Sequence, residues 1–99
     1  MNIFDLPSLP QQEELVTILA KSHNVRIERI ISTGQTSSWY DQEEGEFVCL
    51  LEGQAEIEFE NKQPVTLQKG DVLLIAPRER HRVSYTSDNP PCIWLCVFY

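Results

Sequence analysis

The sequence predicts an all-β protein, an antiparallel two-sheet barrel or sandwich, preceded by one short helix. Polar turns recur about every eight to twelve residues after Asn24, which is typical of sandwiches and barrels. The segments between these turns are rich in β-branched and aromatic residues. Within the segment 54–60, residues 55–60 alternate strictly between apolar and acidic side chains, which is the period of a half-buried strand.

The helix is predicted near the N-terminus, within residues 1–24. Pro10 suits the first helical position, and glutamine and glutamate follow it in the first turn. Leu15, Ile18 and Leu19 would share one face of that helix. Because one short helix is not stable alone, we expect it to pack against a sheet. The chain is therefore divided into a helical lead-in, residues 1–24, and a barrel, residues 25–99.

Strands are predicted in order through the rest of the chain. The segments are 25–32, 39–42, 46–51, 54–60, 65–67, 72–75, 81–86 and 92–99. The last of them, CIWLCVFY, is apolar on both faces, so its second face needs cover from the helix or from a second subunit. Dimerisation also covers exposed sheet edges, and we therefore expect a homodimer.

Composition and charge exclude several classes of function. The 99 residues correspond to one domain. No apolar run is long enough to cross a membrane, and the N-terminus does not resemble a secretory signal. Eight basic against fifteen acidic residues make nucleic-acid binding an unexpected function. The three cysteines lack CxxC spacing, so we expect buried, reduced thiols in a cytoplasmic protein.

Two segments carry the candidate chemistry: GQTSSWYDQEEGEFVCLLEG, residues 34–53, and GDVLLIAPRERH, residues 70–81. In the first, five residues separate Gly34 from Tyr40, and Glu46 is followed after six residues by Gly53. This spacing resembles the two motifs of the cupin superfamily, specifically the small single-domain conserved-barrel proteins of cupin type 2. The resemblance covers about residues 25–99. It implies an antiparallel double-stranded β-helix, also called a jelly-roll barrel.

The resemblance also implies where a metal would lie. In metal-binding cupins, two histidines and a glutamate of the first motif and a histidine of the second converge on a divalent ion. The matching positions here are Tyr40, Gln42, Glu46 and His81, so two of the four ligand types remain. A neutral amide is a weaker ligand than imidazole. The implied site is therefore a degenerate one at Gln42, Glu46 and His81 for Zn, Fe, Mn or Ni. Without an ion, the same side chains can form a closed hydrogen-bond network.

A small-molecule pocket is predicted around the same polar group. Val48, Leu50 and Val83 either form its apolar walls or belong to an ordinary filled barrel core. Three further residues are candidates for ligand contact. Tyr85 shares the face of His81 by alternation, Arg78 lies in a loop near the barrel mouth, and Arg29 is expected to point inward. For Arg29, an ion pair at the barrel end is the alternative.

Three functions remain open from the sequence. The first is a protein that binds a small molecule and carries a degenerate metal site. The second is a metal-dependent enzyme of the isomerase, decarboxylase or oxygenase type, with Glu46 and His81 as ligands and Tyr40 as acid, base or ligand. The third is a structural or interaction module whose apolar last strand serves assembly. The absence of both motif histidines favours the first.

Overall fold

Eight antiparallel strands form two facing sheets in the computed structural model, which describes residues 1–99. One sheet has five strands in the order β1-β2-β8-β3-β6, and the other has three in the order β5-β4-β7. The strand bounds are β1 Leu15–Lys21, β2 Arg26–Ser32, β3 Glu46–Glu52, β4 Ala55–Phe59, β5 Val65–Leu67, β6 Val72–Ile75, β7 His81–Thr86 and β8 Cys92–Phe98. The predicted all-β, antiparallel architecture is confirmed. No helix long and apolar enough to span a membrane is present.

The interior between the sheets is filled by every second side chain of the strands, as the pleat requires. The strand β8, predicted to be apolar on both faces, lies in the middle of the larger sheet between β2 and β3. Its even-numbered residues point into the barrel. The buried apolar cluster consists of Val48, Leu50, Ala55, Ile57, Phe59, Leu67, Ile75, Cys92, Trp94, Cys96 and Phe98.

The predicted N-terminal helix is wrong. Residues 15–21 form the edge strand β1, which pairs with β2 from Leu15 opposite Ile31 to Lys21 opposite Arg26. The pairing is local, because a tight turn in which the Ser22 amide donates to the Val25 carbonyl returns the chain directly. Leu15 and Ile18 lie opposite Ile31 and Glu28, so they face opposite sides of the sheet, whereas a helix would place them on one face. A bulge interrupts the pairing between Ile18 and Ala20.

Arg29 points outward, not inward as expected. The inward residues of β2 are Arg26, Glu28 and Ile30, so Arg29 faces the opposite side of the sheet. There its guanidinium donates hydrogen bonds to the backbone carbonyls of Ile3, at 3.3 Å, and Asp5, at 2.8 Å. Arg29 therefore anchors the N-terminal segment to the outer face of the larger sheet.

Candidate functional site

A cavity of about 350 Å³ opens between the two sheets. It falls within the size range of small-molecule pockets, at its lower end. Its walls are mostly apolar, and its polar side chains come from β2, β3, β7 and the segments that precede β1 and β3. The apolar walls are formed chiefly by Val48, Ile57, Ile75, Val83, Trp94 and Phe98, and the polar residues are Glu14, Arg26, Glu28, Tyr40, Gln42, Glu46 and His81.

The centre of the polar group is Glu46, which begins β3 and is only 8% exposed. The Gln42 amide donates a hydrogen bond to Glu46 Oε1 at 3.0 Å. His81 Nε2 lies 3.8 Å from the same oxygen, which is beyond hydrogen-bond distance. The fold therefore brings together the three side chains that the first and second motifs predicted as a group.

Backbone pairing holds the two motifs against each other. The Tyr40 amide donates to the His81 carbonyl at 2.7 Å, and the His81 amide donates to the Tyr40 carbonyl at 3.2 Å. The rings of these residues stand 5.4 Å apart, centroid to centroid. The Arg78 amide donates to the Gln42 carbonyl at 2.7 Å. Tyr40, Gln42 and His81 are thus positioned by the main chain, independently of any ligand.

The tautomer of the neutral His81 ring follows from its second contact. Nδ1 lies 2.8 Å from the Glu79 carbonyl oxygen, which can only accept a hydrogen bond. Nδ1 therefore carries the hydrogen, and Nε2 of the neutral ring offers a lone pair. No protein group within hydrogen-bond distance uses that lone pair.

Enclosure changes the acidity of the pocket's titratable groups. Burial raises the pKa of Glu46 above its ordinary value, although the Gln42 hydrogen bond and the His81 ring act in the opposite direction. Burial and the charge of Glu14 raise the pKa of Tyr40, so its phenol is neutral at physiological pH. Burial and Glu46 also raise the pKa of the Cys96 thiol, which makes Cys96 an inert wall residue and not a nucleophile.

Three charged residues of the pocket were not predicted: Glu14, Arg26 and Glu28. Glu14 was assigned to the helix that is absent, and Arg26 and Glu28 lie on the face of β2 that was taken as external. Arg26 contacts Glu28 at 2.7 Å and Glu44 at 2.8 Å. The signal available in the sequence was the alternation along β2, with Arg26, Glu28 and Ile30 on one face and Ile27, Arg29 and Ile31 on the other. Because both faces contain apolar and charged residues, this alternation did not show which face points inward.

Three of the predicted ligand contacts lie outside this cavity. Arg78 is 62% exposed in its side chain and contacts Asp41 at 3.0 Å. Tyr85 is half-exposed on the outside of the smaller sheet, because a bulge between Glu56 and Ile57 shifts the register of β4 against β7. Arg29 lies on the outer face of the other sheet.

The residues present do not fit a tightly held transition metal. No three His, Cys, Asp or Glu side chains stand close enough together to hold an ion. Glu46 and His81 are the two suitable donors, and the third neighbour, Gln42, directs its amide group at Glu46 as a hydrogen-bond donor. A neutral amide and a neutral phenol supply little of the affinity that two imidazoles would add.

Comparison with known families gives one match over most of the chain. The model of the cupin domain matches residues 28–98. Among curated proteins no match was found.

Solved structures agree with this family match. A candidate mannose-6-phosphate isomerase from Ralstonia eutropha JMP134 is 35% identical, with a TM-score of 0.94 over 99% of this chain and 94% of that one. A cupin superfamily protein from Desulfitobacterium hafniense DCB-2 is 22% identical, with a TM-score of 0.80 over 93% of this chain and 82% of that one. The DMSP lyase DddQ from Ruegeria pomeroyi DSS-3 is 19% identical, with a TM-score of 0.68 over 78% of this chain and 39% of that one. The last two similarities concern the fold alone.

Proposed function

This chain belongs to the cupin family, and on that premise we propose that it binds a small organic molecule in the cavity between its sheets without needing a metal ion. The observation that carries the proposal is the combination of an apolar wall with one convergent polar group in a preformed space. The space is equivalent to about a dozen water molecules at liquid density, which sets the size of the ligand.

The polar side chains of the cavity would fix the orientation in which the ligand binds. Glu46 and His81 are both almost fully buried, and each is held by a separate contact, from Gln42 and from the Glu79 carbonyl. Side chains held in this way are preorganised, so little conformational entropy is lost when a ligand binds.

A phosphorylated sugar, which the name of the Ralstonia protein suggests for that protein, matches this pocket poorly. Apart from His81, Arg26 is the basic residue that lines it, and Arg26 already contacts two carboxylates. A phosphate group would therefore meet Glu14, Glu28 and Glu46 without a free guanidinium or ammonium group to bind it.

Binding is tested with Trp94 as reporter, since Trp94 lines the cavity and Trp39→Phe leaves it as the sole tryptophan. Fragments of a small-molecule library are expected to change Trp94 emission. In a Val48→Phe variant, which partly fills the cavity, those changes should disappear. Val25→Phe, the same substitution at an exposed position outside the cavity, is the matched control and should retain them. Absence of any responding fragment, or full response in Val48→Phe, would contradict the proposal.

Metal independence is tested on the same protein by elemental mass spectrometry. We expect far less than one equivalent of Zn, Fe, Mn or Ni per chain, and unchanged fragment binding after chelation. Near-stoichiometric metal that is absent from both Glu46→Gln and His81→Ala would instead favour the metal-dependent enzyme.

We further propose that the chain forms a homodimer and acts in the cytoplasm. Val72 and Leu74 expose apolar surface on the outer face of the larger sheet, beside the half-buried Phe47 and Val97, and a second copy would cover this face. All three cysteines are unpaired thiols, which supports a reducing compartment.

A further inference from the structure

The pocket carries more negative than positive groups, and its positive charge is already engaged. Glu14, Glu28 and Glu46 supply three carboxyl groups against the single guanidinium of Arg26. Arg26 is held between Glu28 and Glu44, at 2.7 and 2.8 Å. Glu14, at the exposed rim, and Glu46, inside, have no lysine or arginine partner. Two carboxyl groups are therefore free to act as counter-charges to a ligand.

His81 contributes an independent indication of what the ligand must offer. Its side chain is only 4% exposed, and its Nε2 lone pair has no hydrogen-bond partner. His81 lines the cavity, so this lone pair is available to a bound molecule. The 3.8 Å between Nε2 and Glu46 Oε1 is too long for a direct hydrogen bond, but one ligand nitrogen can reach both atoms.

The remaining surface of the cavity indicates the rest of the ligand. Its chiefly apolar walls include the aromatic rings of Trp94 and Phe98. A bare metal ion would leave these walls in contact with water, whereas an organic cation covers them with its apolar part. The Phe98 ring already holds the Arg26 guanidinium, 4.3 Å from its centroid, so Trp94 is the aromatic wall residue left to favour a cation over an anion.

We propose that the ligand is a small primary amine bound in its ammonium form, with Glu46 and Glu14 as counter-charges and His81 Nε2 as a further acceptor. The inference rests on the proposed function, because it names the ligand class of that same pocket. An ammonium group has three N–H donors and no acceptor, which matches a site of free acceptors. The net charge of −7 also raises the local concentration of cations around the protein.

The test compares three probes that share one apolar body: 2-phenylethylammonium, 2-phenylethanol and phenylacetate. Binding is followed by Trp94 emission in the Trp39→Phe protein with a chelator present, so that metal ions do not contribute. We expect 2-phenylethylammonium to bind about tenfold more tightly than the alcohol, because its hydrogen bonds are charge-assisted. Phenylacetate should bind more weakly than both, because the carboxylates of the pocket repel its negative charge.

Two variants test which carboxyl groups cause the preference for the ammonium probe. Glu14→Gln and Glu46→Gln should each weaken ammonium binding about five- to tenfold and change alcohol binding less than twofold. Glu14 lies at the exposed rim, so Glu14→Gln removes a carboxylate from the pocket without altering a buried side chain. Glu13→Gln makes the same charge change at an exposed neighbour outside the cavity and should have no effect.

The failures of the two proposals are distinguishable. Equal or tighter binding of the alcohol or phenylacetate would overturn the amine and leave small-molecule binding intact. An ammonium preference that survives both pocket substitutions would also overturn it. If none of the three probes binds, the amine is rejected, and the fragment library then decides separately whether the cavity binds any small molecule.

Discussion

Glu46 has an environment far from that of an ordinary surface carboxyl group. It is enclosed by Val48, Cys96 and Phe98 of the cavity wall and receives one hydrogen bond, from Gln42. Its raised pKa means that the folded state holds a proton on Glu46 more tightly than the unfolded chain does. Ionised Glu46 therefore lowers stability at neutral pH. A buried carboxyl group whose pKa is raised and which lines a cavity is a candidate centre for a binding site.

The pH dependence of stability follows from that direction. Because the folded pKa lies above the unfolded value, the contribution of Glu46 is fully present below the unfolded pKa and is lost as pH rises through the folded pKa. Glu46→Gln should therefore increase the free energy of unfolding at pH 7, and the gain should disappear towards pH 4. Urea denaturation across this range, with Glu43→Gln as the exposed control, measures it. A gain that is equal at both pH values would contradict the assignment.

Two glycines test how much local backbone geometry contributes. Gly53 and Gly70 both have left-handed φ angles, +92° and +90°. Gly70→Ala meets no neighbouring atom and should cost about 1–3 kcal/mol through backbone strain alone. A Cβ at Gly53 would lie 2.8 Å from the Pro91 carbonyl oxygen and 2.9 Å from Cys92, so Gly53→Ala should cost a further ~1–3 kcal/mol. Thermal denaturation of the two variants measures the loss of stability in each. Equal losses would contradict the predicted clash and show that the Pro91–Cys92 segment moves aside freely.

Among the secondary-structure elements, β1 is where sequence patterning and structure disagree. The sequence from Leu15 to Lys21 contains spacings that suit both a helix and a bulged strand, and the hairpin with β2 decides between them. The preferences within β1 conflict, because Val16, Thr17 and Ile18 favour strands whereas Leu, Ala and Lys favour helices, so the pairing with β2 determines the outcome. Because this segment was predicted as a helix, Glu14 was not predicted as a pocket residue. Glu14 directly precedes β1, the edge strand of the larger sheet, and lines the pocket.

Thr17→Ala distinguishes a strand from a helix by the sign of its effect. Thr17 lies opposite Arg29 in the pairing of β1 with β2. In a strand, loss of the β-branched side chain should destabilise the protein by about 0.5–1 kcal/mol. In a helix, the same change would stabilise it by about 0.5 kcal/mol, since alanine is the better helix former. Urea denaturation of Thr17→Ala against the parent protein provides the comparison, and a stabilised variant would be evidence against β1.

For the whole molecule, the two faces of the larger sheet have different roles. Its inner face forms one wall of the cavity, and its outer face is partly covered by the N-terminal segment that Arg29 anchors. The part formed by β6 is not covered, since Val72 and Leu74 are 52% and 62% exposed. An exposed pair of large apolar side chains on a sheet is typical of an interface, and this supports the proposed dimer.

Leu74→Lys should therefore shift the protein from dimer to monomer. A charged side chain in the middle of an apolar interface is costly to desolvate, so we expect at least a tenfold weaker dimer. Analytical ultracentrifugation over a concentration series measures the change. Tyr85→Lys, which alters a similarly exposed side chain on the smaller sheet, is the matched control. A monomeric parent protein, or a dimer unaffected by Leu74→Lys, would contradict the proposed interface.

Seven of the strands predicted after Asn24 and the group of Tyr40, Gln42, Glu46 and His81 were predictable without coordinates. The strand predicted at residues 39–42 was wrong, since that segment is reduced to a single bridge between Tyr40 and His81. The strands are predictable because strand periodicity and turn residues act over only a few residues. The site group is predictable because the spacing of the two motifs resembles that of cupins. Three features depended on how the strands pair: β1 in place of a helix, the outward position of Arg29 and Tyr85, and the entry of Glu14, Arg26 and Glu28 into the pocket. In a strand, one bulge or one choice of face reverses the direction of the side chains that follow. The sheet against which each strand pairs makes that choice, and so the charge of the pocket was established by the fold.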